Sequence, residues 1–428
     1  MKLRNIFFLM LSVLLVNCSD DDNDMTLSQD DFSNVKYDQQ TLEVQINTAQ
    51  EWTATSLVPW CEVSDAVGKG NATLVLTLQP NIGPARTGKV VIWTEEGQED
   101  IEFSQEAYTG SGEFHYQLPV VFHVLYKDNT PAQKITRERL VEVLAGVNKY
   151  FKGESKWPGG EQAQDMNLEF VIADKDEAGE TTNGVEYIQV ADNVIDCDKM
   201  MSDAKYIQYL WNPNKYINVF IYEFKAVQGG MILGVTHLPQ TVRGQYALPG
   251  LNVVKEAYLT KSNLNFPKCV SLNSKTAYQD TEADAANPNG LDFIVTAAHE
   301  LGHYLGLHHA FNEGTKGACI DTDYCEDTPP YDREYYMAAY LPWLEQQQQN
   351  TFANAAKRID CRTEDFFTSY NLMDYEFGYM DRFTADQRTR VRNVLMYSPL
   401  IPGPKIYPTG VSTRAVEGVL DIPYTIVK

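Results

Sequence analysis

HELGHYLGLHH, residues His299 to His309, spaces its histidines so that one short turn of backbone can gather them. On a helix advancing ~100° per residue, His299 and His303 stand one turn apart on a single face, so both imidazoles can reach one ion. Glu300 sits beside them, close enough to touch a metal-bound water without being a ligand. Gly306 can adopt the backbone conformation that ends a helix, which lets His309 return toward the same point as a third ligand. Three neutral imidazoles leave a coordination position open, the pattern expected of a catalytic rather than a structural Zn2+ site. His308 falls off the spacing and reads as a solvated residue, or one that supports a ligand from outside.

The chain around this run has 428 residues, enough for two or three domains, and at 43% hydrophobic content each can bury a core. A net charge of -23 excludes nucleic acid as a partner, because phosphates need a basic surface. Residues 1–18 read as a targeting segment. Lys2 and Arg4 are followed by an apolar run, Ile6 to Val16, too short for the ~20 residues of a membrane span. The run ends in Leu15-Val16-Asn17-Cys18, which resembles a bacterial lipobox, although Asn17 departs from the usual small residue. That resemblance implies lipidation of Cys18. The acidic residues that follow, within 19–27, are similar to tethers of lipoproteins displayed outside the outer membrane, and a cleaved, fully secreted chain is the alternative. The remaining cysteines would meet an oxidising compartment. Cys197 with Cys269, and Cys361 with Cys319 or Cys325, are the expected disulfides.

Residues 28–108 alternate apolar and polar side chains in short runs: Leu42, Val44 and Ile46; Leu74, Leu76 and Leu78; Val90 and Ile92; Ile101 and Phe103. This predicts an all-β sandwich. Trp52, Trp60, Asn81, Arg86-Thr87-Gly88 and Gln105 together resemble a BACON-type domain, an immunoglobulin-like module. The resemblance admits glycan binding, but the tryptophans read first as core. Past the linker Gly110-Ser111-Gly112, within 109–428, strands and helices alternate. The expected elements are a buried strand over Leu118 to Tyr126, a helix over Ile135 to Phe151, and strands near Leu168 to Ile172, Ile217 to Phe224 and Leu251 to Val254. A helix over Asp292 to Leu307 carries the histidines, and another starts at Thr384 with a Thr384/Gln387 capping box. His115, His123 and His237 read as ordinary satisfied residues. Gln346 to Gln349 reads as a solvated helical face.

Asn371-Leu372-Met373-Asp374-Tyr375 follows the histidine run, and here the sequence resembles the metzincin metallopeptidases. Met373 matches the methionine of their tight turn, a soft apolar floor beneath the imidazoles. Tyr375 matches a tyrosine that several members place near the metal, where it can bind an oxyanion. The pappalysin family fits best, through the histidine run with Ala310-Phe311, then Asp323-Tyr324-Cys325-Glu326-Asp327-Thr328-Pro329, the methionine turn, and Phe383-Thr384 with Gln387. The resemblance implies an α+β, zincin-like catalytic domain with a twisted mixed sheet behind a cleft. It also implies Ca2+ near Asp323 and Thr328, the alternative being a solvated acidic loop. Glu376 to Met380 departs from the family, which commonly carries a cysteine and acidic residues there. The implied activity is hydrolysis of peptide bonds in extracellular proteins, with Glu300 as general base. Substrate would add as a strand to an edge near Leu251 to Lys255. Two other readings are a surface adhesin or glycan-binding protein without turnover, and a latent protease whose metal is capped by Cys61. Trp60-Cys61 reads instead as strand core.

Overall fold

The computed structural model describes residues 25–428 apart from 39, 193, 229, 280–291, 315–318, 376 and 408–414. The leader, Cys18 and most of the acidic tether therefore lie outside the described residues.

The first module is two facing β-sheets of four and five strands around one core. The alternation in the sequence is the alternation in space. Val44, Ile46, Leu74, Leu76, Leu78, Val90, Ile92, Ile101 and Phe103 are all buried, because a period of two sends every second side chain to the same face. The module begins upstream of residue 28, since Thr26–Leu27 pairs antiparallel with Ile46 and Asn47. Trp52 and Trp60 are 3% and 4% exposed, so both rings are core. The Trp52 indole donates to the Gly70 carbonyl at 3.0 Å, and the Arg86 guanidinium lies 4.1 Å from the Trp60 ring centroid. Cys61 belongs to the same core, where burial pushes its thiol up to about 11, so it does not stand over the histidines.

The second module is built on a seven-stranded mixed sheet. Tyr116–Tyr126 is its long central strand. Leu168–Ile172 and Val185–Gln189 pair with successive halves of it on one side, and Ile217–Tyr222 runs parallel to it on the other. Val270–Asn273 follows in parallel, and then the direction reverses with Gly234–His237. Arg137–Phe151, capped by Thr136, and Phe293–Tyr304, capped by Asp292, cover the sheet. Gly146 sets their close approach, for a Cβ there would lie 2.6 Å from Ile294 Cγ2. Ala385–Tyr397 closes the core with the expected capping box, and Val391 and Leu395 are fully buried. Asn252–Val254 is not an edge of this sheet. It pairs with Gln240–Val242 in a separate two-stranded ribbon. No helix among the described residues is long and apolar enough to cross a membrane.

Among the described residues one disulfide, Cys319 to Cys361, joins the part of the chain after the histidines. The expected Cys197–Cys269 bond is not formed. Both thiols are free and buried in a core with Met200 and Met201, where cysteine serves as a small apolar residue. Burial pushes the Cys269 thiol up to about 12, so it stays protonated. Closing a loop of 42 residues restricts the unfolded chain. Cys319→Ser with Cys361→Ser is expected to cost about 2–4 kcal/mol, measured by urea unfolding with and without reductant.

Candidate metal centre

The motif helix places His299, Glu300 and His303 at 3%, 3% and 0% exposure. It ends at Tyr304, and Gly306 takes φ +94° in the turn that brings His309 back. Without a left-handed residue here the chain would leave along the helix axis, and the third imidazole would be lost. Nε2 of His303 lies 3.0 Å from Nε2 of His299 and 3.1 Å from Nε2 of His309.

The other nitrogen of each ring is occupied. Nδ1 of His299 lies 2.7 Å from the Leu372 carbonyl, Nδ1 of His303 lies 2.7 Å from the Leu307 carbonyl, and Nδ1 of His309 lies 2.5 Å from Glu313 Oε1. Carbonyl and carboxylate oxygens accept, so each Nδ1 carries the proton and each Nε2 turns a lone pair inward. Three lone pairs facing one another in a buried site repel unless a cation sits among them. Burial lowers His299 to about 4 and holds His303 and His309 well below the ordinary histidine value, so all three are neutral near pH 7. The donor set thus fits a borderline-soft divalent metal, and among the described residues these histidines are the group arranged to hold one.

Glu300 is buried beside this point, and burial pushes its carboxyl up to about 8, although the Thr236 hydroxyl pulls the other way. That hydroxyl donates to Glu300 Oε2 at 2.5 Å. Thr236 and Gly234 lie on the same face of Gly234–His237, the strand that borders the site. A Cβ on Gly234 would lie 2.4 Å from Glu300 Cγ, so the glycine is what lets the carboxylate fit against the strand.

Met373 is fully buried, and its sulfur would lie 2.6 Å from a Cβ placed on Gly302 of the motif helix. The methionine therefore packs against the helix that carries His299 and His303. Its turn is fixed by the Asn371 and Gln387 amides, which exchange two hydrogen bonds of 3.0 Å, and by Asp374. Asp374 accepts from Ser369 and Tyr331 and pairs at 3.2 Å with Arg358, both partners of the ion pair being buried. The Tyr375 ring lies 4.4 Å from that of His309 and 5.5 Å from that of His299. A cleft of about 370 Å³ adjoins the turn, lined in part by Glu161, Ala310, Asp327, Asn371 and Asp374.

His308 is partly buried: it packs against Tyr324 with its Nε2 shielded from solvent, and burial lowers it to about 4. Asp323 and Thr328 are neighbours, but the Thr328 hydroxyl donates to Asp323 Oδ2 at 2.5 Å, so a hard cation would have to displace that bond. His123 bridges Glu186 and Asn218, and His237 contacts two backbone carbonyls; both are satisfied within the sheet. Thr236, Gly234 and Glu313 went unread in the sequence. GVTH has no alternation to mark a strand, and a glutamate four residues after a ligand, in a loop, carries no periodic signal.

Geometry of this kind defines a class, the metzincin type of metallopeptidase, in which a helix, a glycine turn and a methionine turn hold three imidazoles around one metal. Residues 269–396 match the Peptidase_M43 family model, described as Pregnancy-associated plasma protein-A, and over this part the chain is similar to the pappalysin-type metzincins. The chain is 33% identical over 97 residues to an extracellular metalloprotease of Arthroderma otae, a match covering 22% of this chain and 29% of that one. It is 27% identical over 159 residues to extracellular metalloprotease 1 of Coccidioides posadasii, covering 36% and 51%. The matches thus span from under a third to about half of these curated relatives. Among solved structures it is similar to mature mirolysin of Tannerella forsythia in complex with a cleaved peptide, at 22% identity and a TM-score of 0.44, over 66% of this chain and 92% of that one.

Proposed function

We propose that the protein is a zinc-dependent endopeptidase acting on extracellular proteins. The observation that carries this is the set of three Nδ1-anchored imidazoles turned on one point, with the buried Glu300 carboxylate beside them. Zinc bound there would acidify a water and polarise a peptide carbonyl. Glu300 takes a proton onto its carboxylate and returns it to the departing amine. Thr236 fixes the Glu300 rotamer, Gly234 leaves it room, and Tyr375 supplies a hydroxyl above the ligands for the developing oxyanion. Met373 and Gly302 keep the ligand helix from shifting.

The sandwich is proposed as a BACON-type, immunoglobulin-like spacer, with Cys18 as a lipid anchor that holds the enzyme on the outer face of the outer membrane. Buried Trp52 and Trp60 favour a spacer over a glycan reader. A non-catalytic adhesin would have no use for a carboxylate buried beside the metal point, where its desolvation costs stability. The test is digestion of casein or gelatin. Cleavage that o-phenanthroline stops and Zn2+ restores is expected, and cleavage untouched by the chelator would end the metallopeptidase reading.

A further inference from the structure

The strand beside Glu300 already has a partner. Ile426–Val427 pairs antiparallel with Gly234–His237, with Thr236 opposite Val427 and His237 opposite Ile426. The Leu238 amide extends the ladder by donating to the Thr425 carbonyl at 3.0 Å. This is the outermost position of the seven-stranded sheet, the edge to which an extended peptide would add. Further back, Gln240 Nε2 donates to the Pro423 carbonyl at 3.2 Å, and Asn252 Nδ2 donates to Thr425 Oγ1 at 2.9 Å. Asn263, fully buried, donates to the carbonyls of Val416 and Gly418 at 2.7 and 2.8 Å. Ile422 is buried, and the Tyr424 ring lies 4.2 Å from that of Phe266. At the far end the Tyr375 hydroxyl donates to the Lys428 carbonyl, while Lys428 Nζ pairs with Asp198 at 2.7 Å. The segment therefore runs as a strand beside the one that seats Glu300, and its Lys428 carbonyl reaches the hydroxyl of Tyr375, whose ring lies against those of His299 and His309.

We propose that Leu420–Lys428 is a built-in occupant of the substrate cleft, an autoinhibitory strand that must leave before a peptide can bind. The proposal rests on the peptidase reading for its consequence, but not for the occupancy itself. A substrate strand and Ile426–Val427 compete for the same backbone groups of Thr236 to Leu238, so both cannot be held at once. Only two residues complete the ladder, and the ion pair at Lys428 is half exposed. Such a segment opens at a small fraction of the cost of global unfolding. The bonds from Asn263 to Val416 and Gly418, just upstream, hold it close by, which keeps its effective concentration high.

The test compares the full chain with one lacking residues 424–428, and with Ile426→Asp/Val427→Asp, which keeps the segment but sets two carboxylates in the ladder. On a quenched peptide substrate, both changes are expected to raise kcat/KM at least tenfold, chiefly through KM. A labelled peptide of residues 420–428, followed by fluorescence anisotropy on Glu300→Ala backgrounds, is expected to bind the altered chains at least tenfold more tightly than the full chain. Equal KM and equal peptide binding across chains of matching circular dichroism would overturn the proposal. Unequal peptide binding with no cleavage by any of the chains would support the occupancy and remove the peptidase reading instead.

Discussion

Glu300→Gln is expected to fold, to hold its metal, and to lose about 10²–10⁴-fold in kcat on a peptide substrate with KM little changed. Glutamine has the same shape and keeps an oxygen to accept from Thr236, so the rotamer set by that 2.5 Å bond survives. What it lacks is the capacity to take up and return a proton. The substitution also removes a carboxyl buried to 3% exposure, a site that penalises the charged form. Stability in urea should accordingly be equal or slightly higher, which separates lost chemistry from lost structure. Steady-state kinetics with metal content measured on the same sample checks this. Wild-type kcat in the metal-loaded variant would take the proton-transfer role away from Glu300.

Stripping the metal is expected to destabilise the second module by ~4 kcal/mol if metal is present at ~1,000 times its dissociation constant, a fall of roughly 10 °C in Tm. The cause lies in the ligand nitrogens. With Nε2 of His303 3.0 and 3.1 Å from its two neighbours, removal of a cation leaves three inward lone pairs crowded together without the charge that held them. His303→Ala should show the lower Tm from the start and no longer respond to chelator or to added Zn2+. Zn2+ should restore the native chain where Mg2+ does not, since imidazole is a poor ligand for the harder ion. Scanning calorimetry of the native and His303→Ala chains, with chelator and after each ion, reads this directly. An unchanged Tm on chelation of the native chain would show that the imidazoles are held by packing alone.

The peptide edge shows where local pattern stops being informative. Leu251 to Val254 carried the stronger strand signal, yet Asn252–Val254 pairs only into a side ribbon, and the strand packed against Glu300 is the unpatterned Gly234–His237. A fully buried four-residue strand needs no alternation, so periodicity passes over it. The cysteines fail for a related reason. A spacing says nothing about distance, and burial beside Met200 and Met201 suits thiols as well as a disulfide would.

By itself the sequence determined the three converging histidines, the glycine that turns the chain after the helix, the methionine turn and the two-module order. Each of these is a local spacing whose consequence follows from helix and strand geometry alone. Only the tertiary structure decided which groups orient the three imidazoles, that Thr236 and Gly234 seat the Glu300 carboxylate, that His308 is packed against Tyr324, and that Ile426–Val427 pairs with the strand beside Glu300. Those are contacts between segments far apart in the chain, set by how the sheet stacks its strands, and no periodicity along one segment records where another will fall.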